Sequence, residues 1–333
     1  MTPRARILPV FVPHLGCPNS CVFCNQRRIS GSSFPASPEE VMALLEQAAA
    51  APGPLELAFY GGSFTAIPEE RQRSLLAAAV PFREKGLLSS LRVSTRPDAV
   101  TAEKLALLRE YGVETVELGA QSMDDEVLLK SGRGHSAGDT RRAAALVKEA
   151  GMRLILQMMT GLPGATPEKD LETARTLASL RPQGVRVYPT VILRDTPLEA
   201  MWRAGQYRAH TVREAVETCV PIVSCFRASG IPILRLGLNP TELLSGGEAV
   251  GGAYHPALGE LVYSARYLEI ARAAIRALPC LPRRLELRVA KNAVSLMTGQ
   301  RRSNLLALRW EFGLEAVSVL GGDFPPETVA ISP

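Results

Sequence analysis

The chain has 333 residues, 46% hydrophobic and 21% charged, with 38 Lys+Arg against 33 Asp+Glu. That balance belongs to a globular protein with a full core, and it excludes a disordered or collagen-like chain. No apolar run reaches the roughly 18 residues that a membrane helix needs, and the proline-broken start (Pro3, Pro9, Pro13) lacks a signal-peptide core, so the expected location is cytoplasmic.

In chain order, short β-type runs alternate with amphipathic stretches. Strands are expected at Arg6–Val12, Leu55–Tyr60, Leu91–Thr95, Thr115–Leu118, Arg153–Met159, Val185–Tyr188 and Ile231–Leu236. Helical patterns lie between them, at Pro38–Ala50, Ala102–Glu110, Asp139–Glu149 and Pro167–Leu180. Ser37, Thr101 and Thr166 each place a hydroxyl before a first helical turn. Six or seven such units, fewer than eight, predict an α/β fold: a partial (β/α)6-type barrel over residues 1–240. Its chemistry is expected on loops after the C-terminal strand ends. Residues 241–279, with a glycine-rich stretch (Gly246–Gly252) and a long helix near Pro256–Leu278, form a connecting segment. Pro279-Cys280-Leu281-Pro282 then leads into a small α+β unit over 280–333.

The net charge of +5 is concentrated in two patches. Residues 1–38 hold Arg4, Arg6, Arg27 and Arg28 and no acid, while residues 281–312 hold seven basic residues and two acids. The six cysteines are equally uneven. Cys17, Cys21 and Cys24 fall within eight residues, whereas Cys219, Cys225 and Cys280 are scattered. In a long chain without secretory features this pattern points to metal chemistry and away from disulfides.

Cys17, Cys21 and Cys24 are spaced C-x3-C-x2-C on the loop after the first strand. Three thiolates on a tight loop can hold three irons of a 4Fe-4S cluster, leaving the fourth iron open to chelate S-adenosylmethionine (SAM). Phe23 is placed to shield such a cluster and pack near an adenine, and the acid-free arginines suit an anionic centre. The alternative is a structural zinc site with His14 as fourth ligand.

These residues resemble the signature of the radical SAM superfamily, and Phe59-Tyr60-Gly61-Gly62-Ser63-Phe64 resembles its glycine-rich motif. Val116–Ser122, Arg133-Gly134-His135 and Gln157–Gly164 are similar to the subgroup containing oxygen-independent coproporphyrinogen oxidase and the catalytic subunit of Elongator. Val185–Leu198, continuing through Trp202 and Gly205–Tyr207, is closest to the Elongator subunit. The resemblance implies Cys17, Cys21 and Cys24 as cluster ligands and Gly61, Gly62 and Ser63 at the methionyl end of SAM. It further implies Ser94 near SAM, Gln121 and Gln157 at the nucleoside, and Arg133 on the SAM carboxylate. The implied partners are an RNA substrate of the tRNA class and an electron donor such as flavodoxin or ferredoxin. Two features depart from the Elongator subunit. The gap between the first two cysteines is short, and only about 90 residues follow Thr241, fewer than its acetyltransferase-like domain needs.

In the C-terminal unit a strand (Leu285–Val289), a helix (Lys291–Met297), the turn Gly299-Gln300-Arg301-Arg302, a helix (Ser303–Phe312) and a strand (Ala316–Leu320) follow one another. That order resembles an RNA-binding KH module, whose turn clamps the nucleic-acid backbone. Lys291, Arg301 and Arg302, with Arg283 and Arg284, are the RNA-contact candidates; a small cap with a solvated basic face is the alternative. Tyr188 lies at a strand end, while Cys219, Cys225 and Met158-Met159 read as core. The leading expectation is a radical SAM enzyme modifying RNA. The competing ones are a radical SAM enzyme on a small molecule or tetrapyrrole, and a non-catalytic zinc-containing RNA-binding protein.

Overall fold

The computed structural model describes residues 5–12, 15–17, 21–25, 36–240 and 244–332. His14, Arg4, Arg27 and Arg28, all named above, lie outside them. In chain order the strands of the barrel region are β1 (Arg6–Phe11), β2 (Leu55–Tyr60), β3 (Ser90–Thr95), β4 (Val113–Gln121), β5 (Arg153–Thr160), β6 (Gly184–Pro189), β7 (Val191–Leu193), β8 (Ile233–Leu236) and β9 (Ala249–Gly252). Seven of them, in the order β1-β2-β3-β4-β5-β6-β8, pair parallel throughout and curl into an open barrel. The helices are α1 (Pro38–Ala49), α2 (Glu69–Ala77), α3 (Val80–Glu84), α4 (Ala102–Glu110), α5 (Asp125–Lys130), α6 (Ala137–Glu149), α7 (Pro167–Ser179), α8 (Pro197–Arg203), α9 (Val212–Ala228) and α10 (Leu258–Arg276).

Helix starts follow the capping residues. Ser37 and Glu40 close a capping box on α1, and Ser136 with Asp139 does the same on α6. Helix α6 therefore begins at Ala137, two residues before its apolar pattern suggests. The glycine-rich stretch of the connecting segment contains β9, which pairs antiparallel with β7. Its glycines permit close approach: a Cβ on Gly252 (φ +83°) would lie 2.7 Å from the Thr190 carbonyl oxygen.

Alternate strand residues divide the barrel into two environments. Leu57, Phe59, Leu91, Val93, Leu118 and Val187 are buried and join the main core, which the helices cover. The intervening residues face the lumen and are largely polar. Arg92 pairs with Glu56 (2.9 Å) and Glu117 (2.6 Å), and Arg186 pairs with Glu117 (2.9 Å). The Tyr60 hydroxyl donates to Glu117 (3.0 Å) and accepts from Arg186 (3.0 Å). Two guanidiniums thus balance two carboxylates; removing one member of such a buried set costs about 3–5 kcal/mol, because its partner charge is stranded. Burial, reinforced by the Glu117 carboxylate, pushes the Tyr60 hydroxyl up, so it stays protonated.

The C-terminal unit contains β10 (Arg284–Ala290), α11 (Val294–Thr298), α12 (Ser303–Phe312), β11 (Ala316–Gly322) and β12 (Ala330–Ser332). Its sheet has the order β11-β10-β12, with β11 parallel and β12 antiparallel to β10. Leu285, Leu287, Met297 and Leu308 form its core together with Tyr267, Ala271 and Ile275 from α10. The first turns of α10, through Leu258 and Val262, belong to the barrel core, so this helix joins the two.

Gly252→Ala should lower stability by roughly 1–3 kcal/mol, from a left-handed β-carbon and its clash with Thr190. Urea denaturation checks this; a wild-type midpoint would show that β9 is not held as described.

Candidate functional site

The cysteine loop leaves the C-terminal end of β1 and is fixed by backbone bonds to three other elements. Ser63 N donates to Leu15 O (2.9 Å), Val22 N to Ser131 O (3.0 Å), and Leu198 N to Val22 O (2.9 Å). The loop and the glycine motif after β2 interlock. A Cβ on Gly62 would lie 2.5 Å from the Val12 carbonyl oxygen, and one on Gly16 (φ +66°) would lie 2.5 Å from that of Ser63. Gly62 therefore serves the contact between loops. Gly61 (φ +78°) provides the turn itself.

Ser63 is fully buried. Its hydroxyl meets Thr95 Oγ1 (2.9 Å) and accepts from Arg96 N (3.1 Å), so the glycine motif is tied to the end of β3. Thr65 reaches the same Thr95 hydroxyl (2.6 Å). Its backbone is engaged too, the N–H with Leu15 O and the carbonyl accepting from Ala66 N (2.9 Å), so what is left for a ligand is the carbonyl's second lone pair. Ser94, one residue before Thr95, is half-buried on the lumen face and in register with Glu117.

Arg133 follows α5 and is buried. Its Nη1 donates to Cys21 Sγ (3.2 Å), its Nη2 donates to Gly119 O (2.7 Å), and its Nε has no partner. Gly119 leaves room for this: a Cβ there would approach both Gln121 Nε2 (2.9 Å) and Arg133 Nη2 (3.3 Å). A second guanidinium, Arg96, is paired first with Asp98 and also reaches Cys17. The cations beside the thiols are thus Arg133 and Arg96. Arg6, counted above among the residues suiting an anionic centre, lies at the other end of β1. It donates to Ala48 O (3.1 Å) and Ala51 O (2.7 Å) at the end of α1, because its strand runs toward the cysteines from there.

The end of β4 is irregular where function is expected. The register to β5 shifts between Gly119 and Gln121, and Gln121 is a buried non-glycine residue at φ +64°. Such a bulge re-aims a side chain, and the left-handed backbone costs about 1–3 kcal/mol. Gln121 accepts from Gln157 (3.3 Å), so these two expected nucleoside contacts meet across adjacent strands. Next to them, burial and then the Arg133 guanidinium hold His135 down to about 4, leaving its ring neutral.

Phe23 is half-buried between two apolar groups, one of Val127, Met159 and Leu162, the other of Ile192, Leu198 and Tyr207. Cys21 is buried, while Cys17 and Cys24 are partly exposed. Among the described residues, no group of three His, Cys, Asp or Glu side chains is arranged to hold a single metal ion. Met158 and Cys219 are core residues, Cys225 packs at the core's margin and Cys280 is exposed. Arg301 and Arg302 lie in the α11–α12 turn, whereas Lys291 follows β10 and precedes α11; all three are away from the cysteines in sequence. Sequence reasoning missed Arg96 as a neighbour of Cys17, the Thr65–Thr95–Ser63 tie, and the Glu56–Arg92–Glu117–Arg186–Tyr60 set. The last had a readable signal, since polar residues recur at alternate strand positions in β2, β3, β4 and β6.

Beneath the loop after β5, Asp170 of α7 accepts from Gly161 N (2.9 Å) and Tyr207 donates to Gly161 O (2.6 Å). The His210 ring packs so close that a Cβ on Gly161 would lie 2.4 Å from it.

Comparison with known proteins agrees with this geometry. The model of the radical SAM superfamily matches residues 11–177, and that of the radical SAM C-terminal domain matches residues 182–269. A tRNA uridine(34) acetyltransferase of Methanocaldococcus infernus is 29% identical over 217 residues, 63% of this chain and 39% of that protein. Elongator complex protein 3 of Homo sapiens is 29% identical over 190 residues, 51% of this chain and 35% of that protein. The chain therefore spans less than half the length of these relatives. The structure of the archaeal Methanocaldococcus infernus Elp3 with an N-terminal deletion superposes with a TM-score of 0.62 at 24% identity. It covers 81% of this chain and 63% of that one, which establishes a common fold.

Burial raises Asp170 to about 7. A carboxyl whose folded value lies above its unfolded value stabilises the fold at low pH, and that contribution is lost as pH rises from about 4 through about 7. Asp170→Asn, which keeps an acceptor for Gly161, should remove this loss. Urea unfolding at pH 5 and pH 8 checks it: wild type should lose more stability over that rise than the variant, and equal losses would contradict the assignment.

Proposed function

The chain belongs to the radical SAM superfamily, and we propose that it is an enzyme that uses a 4Fe-4S cluster and SAM to modify RNA, with tRNA as the substrate class. The observation that carries the reading is the placement of Arg133, a buried guanidinium between Cys21 Sγ and the lumen with Nε unpartnered. A buried unpaired donor is costly unless it has an acceptor to meet. A guanidinium at this place also suits the net negative charge of a thiolate-ligated iron–sulfur cluster. The donor set fits such a cluster: three thiols on one loop, two guanidiniums reaching two of them, and an aromatic ring beside the third.

Cys17, Cys21 and Cys24 would hold the cluster, which when bound supplies the electron that cleaves SAM to methionine and a 5′-deoxyadenosyl radical. The chain's own residues bind and orient. Gly61, Gly62 and Ser63 would present the backbone to the methionyl group, with Gly62 also fixing the loop. Arg133 Nε would meet the SAM carboxylate, in keeping with the preference of guanidinium for carboxylate. Gln121, Gln157 and Ser94 would hold the nucleoside end on the lumen face, and Phe23 would close the site against water. His135, neutral at physiological pH, adds no competing charge beside Arg133.

The RNA assignment is supported by the relatives named above and by the basic turn at Arg301 and Arg302, where Arg302 stands in place of the second glycine of a KH turn, with Lys291 one helix earlier. A flavodoxin- or ferredoxin-like protein would supply the electron. No helix among the described residues is long and apolar enough to cross a membrane.

Anaerobic reconstitution should load about four irons and four sulfides per chain and give SAM cleavage under reduction. Cys21→Ala should abolish both. One zinc with no cleavage would favour the zinc-binding alternative. Mass spectrometry of tRNA nucleosides from cells with and without the protein should reveal one modified nucleoside that disappears; identical profiles would contradict the tRNA assignment and leave the small-molecule one.

A further inference from the structure

The tail's exposed charge is unevenly partnered. Its three carboxylates between residues 281 and 315 are already engaged: Glu286 with Arg288, Glu311 with Arg272 and Arg276, and Glu315 with Arg283 and Arg284. Arg283 and Arg284, expected above as RNA contacts, are therefore partly neutralised. Among the described residues, no carboxylate is in ion-pair contact with Arg301, Arg302 or Arg309. The uncompensated charge is thus gathered at the turn and along α12.

On the same helix Trp310 is 90% exposed and Leu306 is 56% exposed, while Leu305 and Leu308 on the opposite side are buried. The spacing 306, 309, 310 follows i, i+3, i+4, so these three residues share one face of the helix, and Arg302 adjoins it from the left-handed position just before Ser303. Arg302, Leu306 and Arg309 also line a groove of about 210 Å³ against the start of β11. An indole held in water next to the unpaired Arg309 does not contribute to the core of the unit. It matches the two requirements of a single-stranded polynucleotide: a flat surface for a base and cations for the flanking phosphates.

We propose that the Arg302–Leu306–Arg309–Trp310 face of α12 is a base-stacking platform for a single-stranded segment of RNA. The inference rests on the reading of RNA as substrate and goes beyond it: the turn would grip the backbone while Trp310 takes an unpaired base. A duplex, whose base faces are occupied by stacking, would not use Trp310, though its phosphates would still meet the arginines.

The probes are a fluorescein-labelled, mixed-sequence 12-nucleotide RNA and the duplex it forms with its complement, titrated with the full chain and followed by anisotropy. Loss of one stacking contact is worth about 1–3 kcal/mol. Trp310→Ala should therefore weaken single-strand binding about tenfold, with duplex binding and Tm unchanged. Trp310→Phe, which keeps a ring, should stay within about threefold of wild type. Full single-strand binding by Trp310→Ala, together with loss of binding in Arg301→Glu/Arg302→Glu, would overturn the platform and leave the RNA reading intact. No binding of either probe by the wild-type chain would overturn both. If Trp310→Ala changes the sedimentation coefficient of the free protein but not its RNA affinity, the face is an interface between copies and the platform is again overturned.

Discussion

The site depends on a backbone-to-backbone contact between two loops. The cysteine loop and the glycine motif approach so closely that a single methyl on either Gly16 or Gly62 would enter the other's main chain. A contact of this kind is stiff, because it involves no rotamers that could relax it. It fixes where the cysteine segment enters, and Ser63 passes that position to β3 through Thr95 and Arg96. Arg133 then joins the second cysteine to the end of β4. Sequence segments more than a hundred residues apart are thereby held in one place, which is what orienting a reactive cofactor requires.

The barrel supplies the second half of the arrangement. Its outer faces are apolar and covered by helices, whereas its lumen carries a charge-balanced set centred on Glu117. Glu117 of that set is level with Ser94, and Gly119 and Gln121 follow it toward the C-terminal end of β4. The set gives the lumen a polar, charge-balanced floor. At the rim, the left-handed Gln121 and the bulge before it stand where a ligand would meet the strand ends.

Much of this was legible in the sequence because the signals were local. Strand–helix alternation predicted the parallel sheet, and C-x3-C-x2-C marked the cysteine loop. The helix from Ser303 to Phe312 was read to the residue, since the glycine and two arginines before it end the preceding helix. What was not legible depended on which strands lie side by side. Glu117 was quoted as part of a motif, but its three partners, Tyr60, Arg92 and Arg186, come from three other strands. Gly62 reads as a ligand-binding glycine until its neighbour, the Val12 carbonyl, is known. The hairpin of β7 and β9 joins segments nearly sixty residues apart, and the glycines that allow it read as a loop. Arg6 was misplaced for the same reason: charge counted along the chain does not tell which end of a strand it occupies.

On the proposed function, the three thiolates held by this interlock would carry a cluster to which SAM binds. Electron paramagnetic resonance of the reduced, reconstituted protein with and without SAM tests it most directly. The account predicts a cluster signal whose g-values shift when SAM is added, and loss of that shift, with the signal retained, in Arg133→Gln. A cluster signal that SAM does not alter, or a protein that takes up zinc and gives no signal, would contradict it.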